Sequence, residues 1–112
     1  GCDDCQEVCP PSRRHERSRA SEAVTDGHWV DAADIVTASD DALLSRFGRW
    51  YLADRDPAVL RRNAALVLGN SGAGDDTRIS AAVAAACRDA DPSVAAAGRL
   101  AAIRLGRKDL LP

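Results

Sequence analysis

Aromatic residues, long hydrophobic runs and strand-like alternation are all scarce or absent in this sequence. Aromatic side chains make up only 4% of the 112 residues, so alanine, leucine and valine have to build the core, which suits closely packed helices. No apolar run approaches the roughly 20 residues of a transmembrane helix. Because no segment keeps an apolar period of two, we expect essentially no β-sheet and predict an all-α fold.

Length and charge narrow the class of protein further. A chain of this length forms one small domain, and a formal net charge of −2 gives no overall sign of nucleic-acid binding. A local basic run, RRHERSR, occurs at residues 13–19. The polar N-terminus argues against a signal peptide, and clustered cysteines without one point to metal or redox chemistry in a reducing compartment.

Capping residues and Asp-Pro steps mark the predicted helices. A short helix is expected within residues 28–36, and Ser39 is the predicted N-cap of the next helix. Pro57 is expected at the first position of a third helix, where its missing N–H costs nothing. Two further helices are predicted over about residues 77–90 and 93–106.

Each predicted helix carries one apolar face, and Gly69 is expected to end the third helix as a left-handed C-cap. Cys87 is expected to be a buried free cysteine and not a ligand. The residues predicted to be buried are Trp29, Leu43, Phe47, Trp50, Tyr51, Leu60, Ala64, Val67, Leu68, Ile79, Val83, Ala86, Cys87, Val94, Ala97, Leu100, Ala101, Ile103 and Leu105.

Two stretches of the chain resemble each other. DPAVLRRNAALVLGN and DPSVAAAGRLAAIRLGR both begin with Asp-Pro, and these starts are separated by about 35 residues, a spacing typical of stacked helical pairs. This predicts a short HEAT-like stack of four to five helices over residues 28–112. Since such stacks usually need three or more repeats, we expect the chain to be part of a larger protein.

The cysteine segment, residues 1–11, holds the most specific motif. Cys2, Cys5 and Cys9, followed by Pro10, have the spacing of the end of the bacterial iron–sulfur run C-x2-C-x2-C-x3-C-P. In that run the last cysteine serves a second cluster, so Cys2 and Cys5 would bind one [4Fe–4S] cluster and Cys9 another. The alternative is a zinc site of Cys2, Cys5, Cys9 and His15. Residues 12–27 are interpreted as a charged linker.

The cysteine motif GCDDCQEVCP, followed by a charged loop and then FGRWYLADRDPAVLRRNAALVLGNSG, resembles the C-terminal part of epoxyqueuosine reductase. The resemblance covers most of the chain and is weakest over residues 12–27 and the last repeat. It implies a cytoplasmic enzyme that reduces the epoxide of epoxyqueuosine in the anticodon region of tRNA. It also implies two [4Fe–4S] clusters that pass electrons to cobalamin.

The resemblance also limits what these residues can do. The cobalamin-binding catalytic domain and the first cysteine motif would lie in a missing N-terminal domain, so no catalytic residue is expected here and this piece should not turn over substrate alone. The alternative function is a non-catalytic HEAT-like interaction module with a small zinc knuckle. The sequence does not fix the oligomeric state, and a monomer is expected.

Arginines are the candidate tRNA contacts. Arg61 and Arg62 are predicted to project away from the buried stripe, and Arg13 and Arg14 lie in the basic run. The alternative is that Arg61 and Arg62 are solvated or form ion pairs with Asp54 and Asp56. Two amides beside them are given structural roles: Asn63 is expected to bond a neighbouring backbone group, and Asn70 is expected in a turn.

Overall fold

The chain, in a computed structural model, is described over residues 29–49 and 52–112. Over these ranges it forms five α-helices and no strand, which confirms the predicted all-α helical stack. The helices are α1 (Ala32–Thr37), α2 (Asp40–Phe47), α3 (Ala58–Asn70), α4 (Thr77–Cys87) and α5 (Pro92–Arg104). Short 3₁₀ helices lie at Ala53–Arg55 and Lys108–Leu110.

Side-chain caps fix where the helices begin. Ser39 is the N-cap of α2, as predicted, and its hydroxyl accepts a hydrogen bond from the Ala42 N–H at 3.3 Å. The Asp91 carboxylate caps α5 in the same way. Helix α3 begins one residue after the predicted start, but Pro57 already has helical dihedral angles, and the Asp56 carboxylate accepts from the Ala58 N–H at 2.9 Å. Local sequence therefore sets these starts.

The core lies between α1, α3, α4 and α5. Helix α3 packs most extensively against α5, while α4 packs against α5 and α1. Alanines dominate the contacts, so the helices approach closely, as the scarcity of aromatic residues predicted. The buried cluster comprises Ala33, Val36, Ala58, Ala64, Ala65, Leu68, Ala82, Val83, Ala86, Cys87, Val94, Ala97, Ala101 and Ala102.

Gly69 does not end α3 as a left-handed cap, so that prediction was wrong. The helix continues to Asn70, and Gly69 is buried inside it against α5. A Cβ atom at this position would lie 2.7 Å from the Ala101 Cα. Gly69 is therefore needed for the close approach of two helices and not for a turn. The positive φ angle of the α3–α4 connection belongs to Gly72.

Four residues predicted to be buried are exposed. The exposed fractions are 74% for Trp29, 60% for Val67, 39% for Leu100 and 53% for Ile103. Helix α3 packs against α1, α4 and α5, which leaves the side bearing Val67 uncovered. Leu100 and Ile103 lie on the outer side of α5. A helical period identifies apolar positions, but which of them a neighbour covers depends on the packing.

The remaining buried-face predictions are mostly confirmed. Leu43 and Phe47 are buried, although neither belongs to the main cluster. Leu60, Ile79 and Leu105 are only half-buried. Trp50 and Tyr51 lie outside the described residues, as do the cysteine segment and the linker at residues 12–27.

A contact that we call the C-terminal clasp joins the end of the chain to the α3–α4 connection. Nη1 of Arg107 donates to the Gly74 carbonyl at 2.8 Å and to Oγ of Ser80 at 2.6 Å. Ser80 is buried, and its hydroxyl also donates to the Gly74 carbonyl. The clasp satisfies polar groups at this end of the stack.

None of the helices over residues 29–49 and 52–112 is long and apolar enough to cross a lipid bilayer.

Candidate nucleic-acid interface

The predicted metal ligands and the basic run lie outside the described residues. This holds for Cys2, Cys5, Cys9 and His15, and for Arg13 and Arg14. Over residues 29–49 and 52–112 no group of three or more His, Cys, Asp or Glu side chains could hold a metal ion. The described part of the chain therefore offers the arginines as its candidate site.

Cys87 is buried and free, as predicted. Burial raises the pKa of its thiol, although Arg88 and Arg99 act weakly in the opposite direction. A thiol with a raised pKa stays protonated at neutral pH, so it is a poor nucleophile and a poor metal ligand. Cys87 is part of the core between α4 and α5.

Arg61 does not project outward, and this prediction was wrong. Its side chain is only 13% exposed, its Nη2 donates to the Ala38 carbonyl at 2.9 Å, and it forms an ion pair with Asp40. The expected alternative partners, Asp54 and Asp56, are also wrong for this residue. Through these two contacts Arg61 joins α3 to the connection between α1 and α2. Because the Asp40 carboxylate neutralises its charge, Arg61 presents no free cation.

The surroundings of Arg61 are acidic. It lines a groove of about 590 Å³ together with Asp40, Asp56, Asp89 and Asp91. Four carboxylates beside one paired arginine produce a negative potential, which repels phosphate. The groove therefore does not suit a nucleic-acid backbone.

Arg62, the next residue, has a different environment. Its Nε and Nη2 donate to Oδ1 of Asn63 at 3.2 and 3.0 Å. Asn63 is exposed and bonds this side chain instead of the backbone that was predicted for it. An amide oxygen is neutral, so the guanidinium is held in place but keeps its full charge.

Arg104 repeats this arrangement at the other end of the same helix pair. Its Nη1 donates to Oδ1 of Asn70 at 2.7 Å. Asn70 is the last residue of α3 and not a turn residue, contrary to prediction. Arg104 was not among the contacts predicted from the sequence. The repeat period was a usable signal, because Asn70 and Arg104 are 34 residues apart and thus fall at equivalent ends of α3 and α5.

Helices α3 and α5 run side by side in the same direction. The pKa of Asp91, at the start of α5, is lowered by hydrogen bonds from Ser93 and Val94 and by the nearby charge of Arg62, and Asn70 contacts Arg104 at the end of α5. Arg62 precedes Asn70 by two helical turns, or about 12 Å. We call Arg62, Asn63, Asn70 and Arg104 the α3–α5 face.

Two other described arginines, Arg78 and Arg107, are paired with carboxylates. Arg78 bonds Asp31 at 2.7 Å and also pairs with Asp34, which joins α4 to α1. Arg107 pairs with Asp109 at 2.8 Å. Over residues 29–49 and 52–112, neither arginine of the α3–α5 face lies within ion-pair distance of a carboxylate. The α3–α5 face therefore carries two oriented, uncancelled cations.

Comparison of the sequence with known proteins finds a relative of this chain. The chain is 37% identical over 68 residues to epoxyqueuosine reductase from Synechococcus sp. (strain RCC307). The match covers 58% of this chain and 21% of that protein, so the chain spans about a fifth of its relative's length. This supports a relation to that enzyme. No protein-family model matches the chain, and no solved structure matches it.

Proposed function

We propose that this chain is the C-terminal part of a tRNA-modifying iron–sulfur reductase that converts epoxyqueuosine to queuosine in tRNA. The observation that carries the proposal is the 37% identity to epoxyqueuosine reductase over 68 residues. The motif CDDCQ followed by Cys9-Pro10 agrees with it, because a chain of helices alone would not require clustered thiolates.

The cysteine segment would supply part of the cofactor binding. Thiolates are the ligands that iron–sulfur clusters require, so the donor set fits, but three thiolates are too few for two [4Fe–4S] clusters. Cys2 and Cys5 would ligate one cluster and Cys9 the other, with the remaining ligands and the cobalamin site in the rest of the protein. The clusters would deliver electrons to cobalamin. The role of this chain is then to supply some of the cluster ligands and to connect them to the helical stack.

The helical stack would contribute tRNA contacts. Arg62 keeps its charge and is the contact that the structure supports best, while Arg61 is left out because Asp40 neutralises it. Arg13 and Arg14 extend the proposed contact along the linker. Because tRNA modification takes place in the cytoplasm, the protein is proposed to work there.

Elemental analysis of the full-length gene product, purified without oxygen, tests the proposal. We expect about eight iron and eight sulfide per chain, as two [4Fe–4S] clusters require, and conversion of epoxyqueuosine to queuosine in tRNA. Cys5→Ser should lower the iron content and abolish the conversion, because one cluster loses a ligand.

Cys87→Ser is the matched control, since Cys87 is a buried core residue, and it should leave the iron content unchanged. One zinc per chain without labile sulfide would contradict the proposal. That result would favour the interaction module with a knuckle of Cys2, Cys5, Cys9 and His15.

A further inference from the structure

The two arginines of the α3–α5 face share a partner type that the carboxylate-paired arginines lack. Each is held by the Oδ1 atom of an asparagine, at 3.0 Å for Arg62 and 2.7 Å for Arg104. Both asparagines are exposed, so neither amide needs an arginine to satisfy a buried group. The pairs are therefore not explained by the demands of the core.

An amide partner has a different electrostatic effect from a carboxylate partner. A carboxylate orients a guanidinium and cancels its charge, as Asp40 does for Arg61. An amide oxygen orients it and leaves the charge in place. Ordering a long arginine side chain costs rotamer entropy, which is normally lost when a ligand binds, so a guanidinium that is already held binds an anion more tightly.

The helices of this face add no negative charge of their own. Neither α3 nor α5 contains an aspartate or a glutamate. Asp91 lies close to Arg62, and its carboxylate already accepts hydrogen bonds from Ser93 and from the Val94 N–H. These bonds, more than Arg62, lower the pKa of Asp91. The charged side chains that α3 and α5 themselves contribute are therefore all positive.

The residue types on these two helices also indicate which part of a nucleic acid would bind. Neither α3 nor α5 carries an aromatic side chain that could stack on a base. Two oriented guanidinium groups, one held near the start of α3 and one at the ends of α3 and α5, suit phosphate oxygens, which accept the parallel N–H bonds that arginine offers. A face of this kind contacts the backbone and carries no base readout.

We infer that Asn63 and Asn70 are positioning residues that hold Arg62 and Arg104 for contact with the tRNA phosphate backbone. This inference rests on the proposed function and specifies which residues of the stack meet the tRNA. Arg62 and Arg104 touch phosphates. The two asparagines act through them by fixing the direction of each guanidinium without neutralising it.

The test is the double substitution Asn63→Asp with Asn70→Asp in the full-length gene product. Aspartate has the shape of asparagine and keeps the bond to each arginine, but it cancels the charge. We expect unchanged or higher thermal stability together with about tenfold weaker tRNA binding, a loss typical of charged hydrogen bonds. The slope of log affinity against log salt concentration should fall by about 1.5, since each phosphate contact contributes about 0.7 to 0.9.

Two comparison variants sharpen the test. Arg62→Ala with Arg104→Ala should lower the salt slope by the same amount, because the same two contacts are lost. Ala81→Asp adds a negative charge on the exposed surface of α4 and should leave the slope unchanged. A purely structural role for the asparagines would leave the salt slope of the double variant at the wild-type value.

The outcomes separate this inference from the proposed function. If the wild-type protein binds tRNA and the double aspartate variant binds equally well with the same slope, the inference is overturned and the reductase assignment stands. An equal loss of slope in Ala81→Asp would also overturn it. If the wild-type protein contains both clusters but does not bind tRNA, the inference and the proposed tRNA contact both fail.

Discussion

The α1–α4 side and the α3–α5 side of the stack use arginine in opposite ways. On the α1–α4 side, Arg78 reaches back 44 and 47 residues to pair with Asp34 and Asp31. On the α3–α5 side, Arg104 reaches back 34 residues to an amide. Both arginines tie two helices together, but only the second remains a cation toward solvent. The partner, and not the arginine itself, decides whether such a contact is structural or available to a ligand.

The two sides also differ in how the backbones approach. The α3–α5 side depends on Gly69, which lets α3 approach the Ala101 backbone. The α1–α4 side has its ion pairs on the surface, where each member is 42–59% exposed. One added atom is enough to force closely packed backbones apart, whereas exposed ion pairs are weakened gradually by salt. The difference predicts how each side responds to substitution.

Gly69→Ala should break the α3–α5 side and have the largest effect. The added Cβ would lie 2.7 Å from the Ala101 Cα, so the two helices have to separate. We expect the free energy of unfolding to fall by about 2 kcal/mol, as overpacking typically costs, measured by chemical denaturation. Val67→Ala, an exposed change on the same helix, should cost less than about 0.5 kcal/mol. Equal effects from both would contradict the close packing.

Neighbouring arginines should behave oppositely, which sharpens the comparison. Arg61→Ala should lower the free energy of unfolding by about 1 kcal/mol, because a mostly buried charged hydrogen-bonding group is lost, while tRNA affinity changes little. Arg62→Ala should leave stability nearly unchanged and weaken tRNA binding. Chemical denaturation and tRNA binding, measured on the same preparations of both variants, would show whether the two arginines differ in this way. Loss of stability in both variants would place Arg62 among the structural arginines.

Arg78→Ala should lower stability less than Arg61→Ala does, because the ion pairs of Arg78 are exposed and screened by salt. The Arg78 guanidinium holds the pKa of Asp31 below its ordinary value. A lowered carboxyl pKa means that this stabilisation is complete above the unfolded-state pKa and is lost as the pH falls through the folded-state value.

The stability difference between wild type and Arg78→Ala should therefore be present at neutral pH and disappear well below pH 4. Thermal melts across this range, at low salt, would show it. A difference that persists or grows in acid would mean that Arg78 acts through packing and not through Asp31.

Local signals in the sequence predicted the parts of the fold that depend on neighbours in the chain. Ser39 caps α2 because its hydroxyl reaches an N–H three residues later, and Cys87 is buried because it lies on an apolar stripe. The positions of Val67 and Ile103 could not be predicted in this way, since apolar residues repeat all around α3 and α5. Only the packing decides which of them are covered.

Distant partners explain the missed parts of the site. Arg61 and Arg62 look equivalent in the sequence, and only the fold brings Asp40 to one and leaves the other with its neighbour Asn63. Gly69 looked like a helix end because its close contact, Ala101, is in another repeat. The ligand assignment of Cys2, Cys5 and Cys9 stays a prediction, because these residues lie outside the described ranges.

The C-terminal clasp has a practical consequence for anyone who alters the length of this protein. Arg107 comes after the last α-helix, yet it anchors the Gly74 carbonyl and the Ser80 hydroxyl. A protein shortened after Gly106 would keep the five α-helices described at residues 32–104 but lose the tether on the α3–α4 connection, so a protease should cut first near Gly72.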